Sequence, residues 1–214
     1  DLAGKSFGIG RPGSLDQSLS TRVMAANGVD TDAVEFVALG QPNVRAQALV
    51  AGQVDATTIS IGVWSSIPDK TGLHVLIDQD AYYAAAPQVS KVNIVTQKVL
   101  HERRDDVKKV ITALIKASRD YAADPAVWVA AMEQALPSAD KATLEQLGQS
   151  FAKSWSVNGG LSKVDLDATV TALYKGEDFA SARPVELNEW VDFSPVDEVL
   201  AELGTDDAMD PATR

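Results

Sequence analysis

Cysteine is absent from this 214-residue chain, and histidine occurs only at His74 and His101. The first absence excludes disulfide scaffolds, thiol nucleophiles and cysteine-ligated zinc; the distance in sequence between the two histidines argues against a histidine-based metal site. Basic residues are also scarce: 19 Lys and Arg against 30 Asp and Glu give a formal charge of −11. The densest basic cluster is Arg103-Arg104 with Lys108-Lys109, too little to neutralise a phosphate backbone, so nucleic acid is excluded as a partner. The same balance does not exclude a small anion, because a cleft can focus positive potential locally within a globally negative protein. No stretch of about 18 uninterrupted apolar residues is present to span a membrane, and no repeat of 20–50 residues marks a solenoid. The chain opens Asp1-Leu2-Ala3-Gly4-Lys5 with no initiator Met, the start expected of a chain processed or cut from something longer.

What remains is a 45% hydrophobic chain, long enough to bury roughly 70% of its unfolded surface without a covalent staple. Residues 5–10 read as a strand ending in Gly10-Arg11-Pro12-Gly13. A helix follows with Leu15, Leu19, Val23 and Ala26 on one face, Ser14 and Gln17 as a capping box, and Asn27-Gly28 as its stop. Residues 33–39 predict a second strand, Asn43 caps a short helix stopping at Gly52, and β-branched residues predict a third strand over 56–61. This βαβαβ order implies parallel strands joined by right-handed crossovers in an open α/β sheet. Two further strands are expected at 73–77 and 91–97.

From Asp105 the character turns helical. Val107, Val110, Ile111, Leu114, Ile115 and Tyr121 form one stripe of a long amphipathic helix, capped by Asp105 or Asp106 and ended by Asp124-Pro125. Helices are expected over 125–136, 140–155, 165–174 and 196–203, with a frayed tail over 205–214. Trp128, Trp155 and Trp190 read as core. The organisation is an α/β unit over 1–90 and a helical unit over 91–204, whose helices outnumber the partners that sequence order supplies.

Gly8-Ile9-Gly10-Arg11-Pro12-Gly13 has the glycine spacing of a dinucleotide-binding turn, between a strand and a helix. Against that use, the second strand ends Val37-Ala38-Leu39-Gly40-Gln41 with no carboxylate for a ribose, and Pro12 removes a loop amide. A simpler use keeps the physics: the start of the helix at Ser14, Leu15 and Asp16 presents free amides and partial positive charge beside Arg11, suited to one sulfonate, carboxylate or phosphate group. The structural alternative is that Ser14 only caps its helix and Arg11 is solvated. In open α/β sheets ligands gather outside the carboxyl ends of the strands, so Gln41, Asn43, Ser60 and Trp64 join Arg11, Gly13, Ser14, Leu15 and Asp16 as candidate ligand contacts. Asp16 either complements the helix dipole or meets an ammonium group of a zwitterion, and Arg45 reads as a plain surface residue. Neither histidine sits where a serine nucleophile could use it, so no catalytic residue is assigned, and no metal or cofactor is called for.

Asp1-Leu2-x-Gly4-Lys5, the Gly13-Ser14 helix start, Ala48-Leu49-Val50-Ala51-Gly52-Gln53-Val54-Asp55-Ala56, the helix 104–124 before Pro125 and the closing Trp190-Val191-Asp192-Phe193 carry a resemblance over about residues 1–204. The chain resembles the substrate-binding proteins of bacterial ABC importers, in the branch serving taurine, alkanesulfonates, nitrate, aromatic carboxylates and thiamine-precursor pyrimidines. That resemblance implies an α/β, two-lobed periplasmic-binding-protein-like fold: one lobe with an open parallel sheet at 1–90, and the return segment and helices of the other lobe at 91–204, lacking the family's opening segment. It further implies a periplasmic or lipid-anchored monomer that captures a small organic anion between its lobes by hinge closure and delivers it to a membrane permease. By matching position, 11–16, 41–43 and the loop after Ile59 would contact ligand. Enzymes of this branch that make the thiamine pyrimidine use a cysteine-rich motif, which this chain lacks. Two other classes stay open at this point: a dinucleotide-dependent α/β enzyme using Gly8 to Gly13, and the effector-binding domain of a transcription regulator.

Overall fold

A computed structural model describes residues 2–89, 91–137, 139–159, 161–175, 179 and 181–206. The chain divides into two compact units, Asp1–Ser90 and Lys91–Arg214. The first is α/β. Its sheet holds β1 (Ser6–Ile9), β2 (Glu35–Ala38) and β3 (Ala56–Thr57) in the order β2-β1-β3, all parallel. Phe7 faces Phe36 on one side and Ala56 on the other. Phe7, Ile9, Met24, Val34 and Ala56 bury one core against this sheet. The crossovers are α1 (Leu15–Ala26) and α2 (Pro42–Val50), followed by α3 (Ile61–Ser66) and α4 (Gln79–Ala85). Leu19 and Val23 of α1 bury a second small cluster with Ala86, flanked by Ile77 and Tyr82.

The third strand is shorter than its β-branched sequence predicts. After Thr57 the Thr58 carbonyl accepts from the Arg45 guanidinium, and Ser60 turns the chain into α3 by accepting from the Val63 amide. The strands expected at 73–77 and 91–97 do not form. Val75 and Leu76 are 60% and 69% exposed and Ile94 is 84% exposed, and β propensity yields a strand only where a neighbouring strand completes the ladder and covers one face. His74 therefore lies in an exposed loop rather than a strand.

The second unit is helical: α5 (Gln97–Glu102), α6 (Arg104–Ala123), α7 (Pro125–Ala135), α8 (Lys141–Phe151), α9 (Lys163–Tyr174) and α10 (Ser194–Leu203). The long helix starts at Arg104, so Asp105 and Asp106 sit in its first turn, where they complement the helix dipole rather than cap it. Its apolar stripe divides: Ile115 is fully buried against Val199 and Leu200, while Val110 and Leu114 stay 59% and 47% exposed. Asp124 ends α6 and, through its side chain, caps α7 by accepting from the Ala126 amide, with Pro125 preset at the first helical position. Trp128, Val129 and Leu144 form the second core; Phe151 packs edge-on to Trp128 and to Trp155, and Tyr121 lies tilted against Trp155. Trp190, expected in the core, is 45% exposed, because it follows a short 3-10 turn at Leu187–Glu189 instead of lying on a packed helix. The tail from residue 207 lies outside the described residues.

Candidate functional site

Because β1 is the middle strand, its carboxyl end places the β1–α1 turn between the loops that follow β2 and β3. The turn is tight. Pro12 and Gly13 reverse the chain, with Gly13 at φ 71°, a conformation that a side chain would strain. Gly10 is required for a different reason: a Cβ there would stand 3.0 Å from Asp16 Oδ1 and 3.4 Å from Arg45 Nη1. Close approach of this kind lets the Gly10 amide donate to Asp16 Oδ2 at 2.8 Å.

The capping box read from Ser14 and Gln17 is displaced by one residue. Gln17 Oε1 accepts from the Gly13 amide at 2.8 Å, and Ser14 Oγ faces back toward the Arg11 amide at 3.4 Å. Ser14 is the N-cap residue of α1 yet makes no side-chain bond to a helix amide. The first turn of α1 thus keeps its partial positive charge unanswered by its own cap, beside the exposed side chain of Arg11. Leu15, the first helical residue, is 39% exposed.

On the β2 side, Gln41 rather than Asn43 is the N-cap of α2. Pro42 takes the first helical position, where its missing N–H is no loss, and this moves Asn43 one residue inside the helix with an exposed side chain. On the β3 side, the Ser60 hydroxyl is the cap of α3. Trp64 on α3 is half-buried and carries Lys70 Nζ at 5.4 Å from its ring centroid, an ordinary cation–π separation.

The residue that gathers these loops is Arg45, which the sequence presents as a surface residue and which is only 5% exposed. Nη1 donates to the Gly40 carbonyl at 2.8 Å and Nη2 to the Thr58 carbonyl at 2.9 Å, and Nη1 lies 3.5 Å from Asp16 Oδ2. One planar guanidinium therefore touches the loops after β2 and β3 and the first turn of α1. Nε is buried with no hydrogen-bond partner. Beside it, Ser20 Oγ lies 2.6 Å from Thr58 Oγ1 and 3.1 Å from the Tyr82 hydroxyl, tying α1, the β3 loop and α4 together. Burial pushes the Tyr82 phenol above its ordinary value, against hydrogen bonds to Ser20 and Thr58 that lower it. Ser20, Arg45, Thr58 and Tyr82 were not among the expected site residues. Ser20 alone carries a local signal, a polar residue among Leu19, Val23 and Met24 on the buried face of α1.

The model of the NMT1/THI5-like family matches residues 1–127. The chain belongs to this family. The family is one of ABC-transporter substrate-binding proteins of the nitrate, sulfonate and thiamine-precursor type; its members are typically solute-binding proteins rather than enzymes, and those binding proteins act outside the cytoplasm. The match takes in the whole α/β unit, hence every candidate contact from Arg11 to Trp64, and runs on through α6. No curated protein and no solved structure matches the chain. Among the described residues of this NMT1/THI5-like chain, no group of three His, Asp or Glu could hold a metal ion, and no helix is long and apolar enough to cross a membrane. Two open concavities, of about 650 Å³ between α7 and α8 and about 450 Å³ along α6, are lined by residues of the helical unit and do not reach the strand ends.

Proposed function

We propose that this NMT1/THI5-like chain captures a small organic anion of sulfonate or carboxylate type and delivers it to the membrane permease of an ABC importer, acting as a periplasmic or lipid-anchored binding protein and not as an enzyme. The observation that supports it is the start of α1: a helix N-terminus at the middle strand's end, uncapped by Ser14 and flanked by exposed Arg11. Asp16 adds a carboxylate there, but its charge is met by Arg45 and by the Gly10 amide, so the local balance favours an anion. Arg11 supplies the mobile charge, the α1 amides the fixed dipoles, Gln41, Asn43 and Ser60 polar contacts, and Trp64 an apolar wall.

The dinucleotide alternative lacks support from the same geometry. Gly8 is buried inside β1, with Leu39 Cδ1 3.1 Å from where its Cβ would be, so it serves sheet packing, and β2 ends at Ala38 with no acidic residue. A thermal-shift screen of sulfonates, carboxylates, nitrate and pyrimidines, followed by calorimetry, tests the anion reading. The Arg11→Ala variant should bind the best anion about 1.5–3 kcal/mol more weakly, since it removes a hydrogen bond to a charged group. Unchanged affinity would remove Arg11 from the site; enhanced binding of a nicotinamide cofactor instead of any anion would overturn the reading as a whole.

A further inference from the structure

We propose that Arg45 is the positioning residue of this rim: its buried guanidinium fixes the loops after β1, β2 and β3 against one another and neutralises Asp16, so that the start of α1 is left to an anion. The proposal rests on the anion reading for what the rim holds, but its geometric half stands alone. Arg45 donates to the Gly40 and Thr58 carbonyls and forms an ion pair with Asp16, which in turn accepts from the Gly10 amide. The Gly40 amide donates to the Gly10 carbonyl at 3.0 Å, which closes the ring between the first two loops. That backbone bond joins only the first two loops, and Arg45 adds the third through the Thr58 carbonyl.

A buried guanidinium is costly, and an apolar side chain of similar volume often does as well for stability. The orphaned Nε adds to that cost. Retaining Arg at this point is accounted for by what its charge does beside Asp16. Without Arg45, the Asp16 carboxylate, only 22% exposed, would face an incoming anion from within the same turn and oppose it. Asp16 is thereby a partner of Arg45 and Gly10 and is not free to receive a ligand's ammonium group, which makes simple anions, rather than zwitterions, the class this rim selects.

The test uses the full chain and inorganic sulfate as the probe, with variants Arg45→Met, Asp16→Asn, the double variant, and Val34→Ala as a control that trims the core at the far end of the sheet. Sulfate affinity is measured by calorimetry well below every melting temperature. Arg45→Met should weaken sulfate about tenfold, the double variant should recover most of that loss, and Asp16→Asn should bind at least as well as the wild type. Val34→Ala should melt earlier and bind normally. A merely structural Arg45 would give affinities that follow folding stability, and a double variant no better than Arg45→Met in affinity overturns the electrostatic half. Peptide-level hydrogen exchange on the unliganded proteins decides the geometric half: Arg45→Met should speed exchange in 8–17, 38–42 and 57–61 together, and acceleration confined to α2 overturns it. A wild type that binds no sulfate and no other anion overturns the anion reading, and the exchange data then still decide whether Arg45 sets the three loops.

Discussion

Tyr82 shows how a single side chain can join segments that sequence order keeps apart. Its ring packs against Leu19 and Val23 of α1 and lies edge-on to Tyr83, while its hydroxyl reaches Ser20, itself bonded to Thr58 just past β3. Desolvation of the ring's environment disfavours phenolate, so Tyr82 should titrate above the ordinary phenol value of about 10 in an ultraviolet titration. A phenol whose folded pKa is raised stabilises the fold at all pH below its unfolded value and loses that contribution as pH rises beyond it, which places the loss in the alkaline range. Tyr82→Phe keeps the apolar packing, removes the hydroxyl from its network with Ser20 and Thr58, and should cost about 1 kcal/mol in denaturant unfolding at neutral pH. Its stability should also fall less than that of the wild type as pH rises through the alkaline range, since the Tyr82 contribution is gone. An unshifted titration of Tyr82, identified by its absence in the Phe variant, would contradict the buried hydroxyl network.

The pairing of α6 with α10 combines an apolar seam with a charged margin. Ile115 meets Val199 and Leu200 inside the seam; at its edge Arg104 holds Glu198, and Lys108 bridges Glu198 at 3.4 Å and Glu202 at 3.0 Å. The hydrogen bonds from Arg104 hold the Glu198 carboxyl below the usual glutamate range, and Asp192 is lowered by the Ser194 hydroxyl and amide that it caps. A depressed carboxyl stabilises the folded form above its unfolded pKa, and that contribution disappears as pH falls through the folded value. The helical unit should therefore lose part of its stability below about pH 4, and Glu198→Gln should flatten that acid slope while changing neutral-pH stability little, as exposed pairs do. Equal acid slopes for variant and wild type in urea titrations would deny the pair its role. Elements like these were legible in advance because helices announce themselves locally: the stripe on α6 and the Asp124-Pro125 junction both lie within a few residues of what they control. Residues 73–77 and 91–97 were misread for the converse reason, since a strand is completed by a neighbour that no local window contains. The site divides the same way. Arg11 to Asp16 were visible as a turn between strand and helix, whereas Arg45 takes its meaning from Thr58 and Asp16, which sequence distance conceals.

At the scale of the molecule, each unit carries its own core: Phe7, Ile9, Met24, Val34 and Ala56 with the Leu19 cluster in one, the Ile115 and Trp128 clusters in the other. Between Lys91 and Thr96 the backbone has no regular structure, and every residue from Lys91 to Lys98 is exposed. Proteases cut where several residues can leave the fold without breaking buried contacts, and this stretch meets that condition better than the loops at 10–13, where Arg11 is followed by proline. Limited trypsin treatment should cleave first after Lys91 and Lys98, leaving fragments of residues 1–91 and from 99 onward by mass spectrometry. If the cores are self-sufficient, both fragments should retain helical circular dichroism and melt cooperatively. First cleavage at Lys70, Lys153 or Lys175 would place the weak point inside a unit instead. Loss of structure in the 1–91 fragment alone would mean that the α/β unit, which holds the whole candidate anion rim, draws its stability from beyond its own residues.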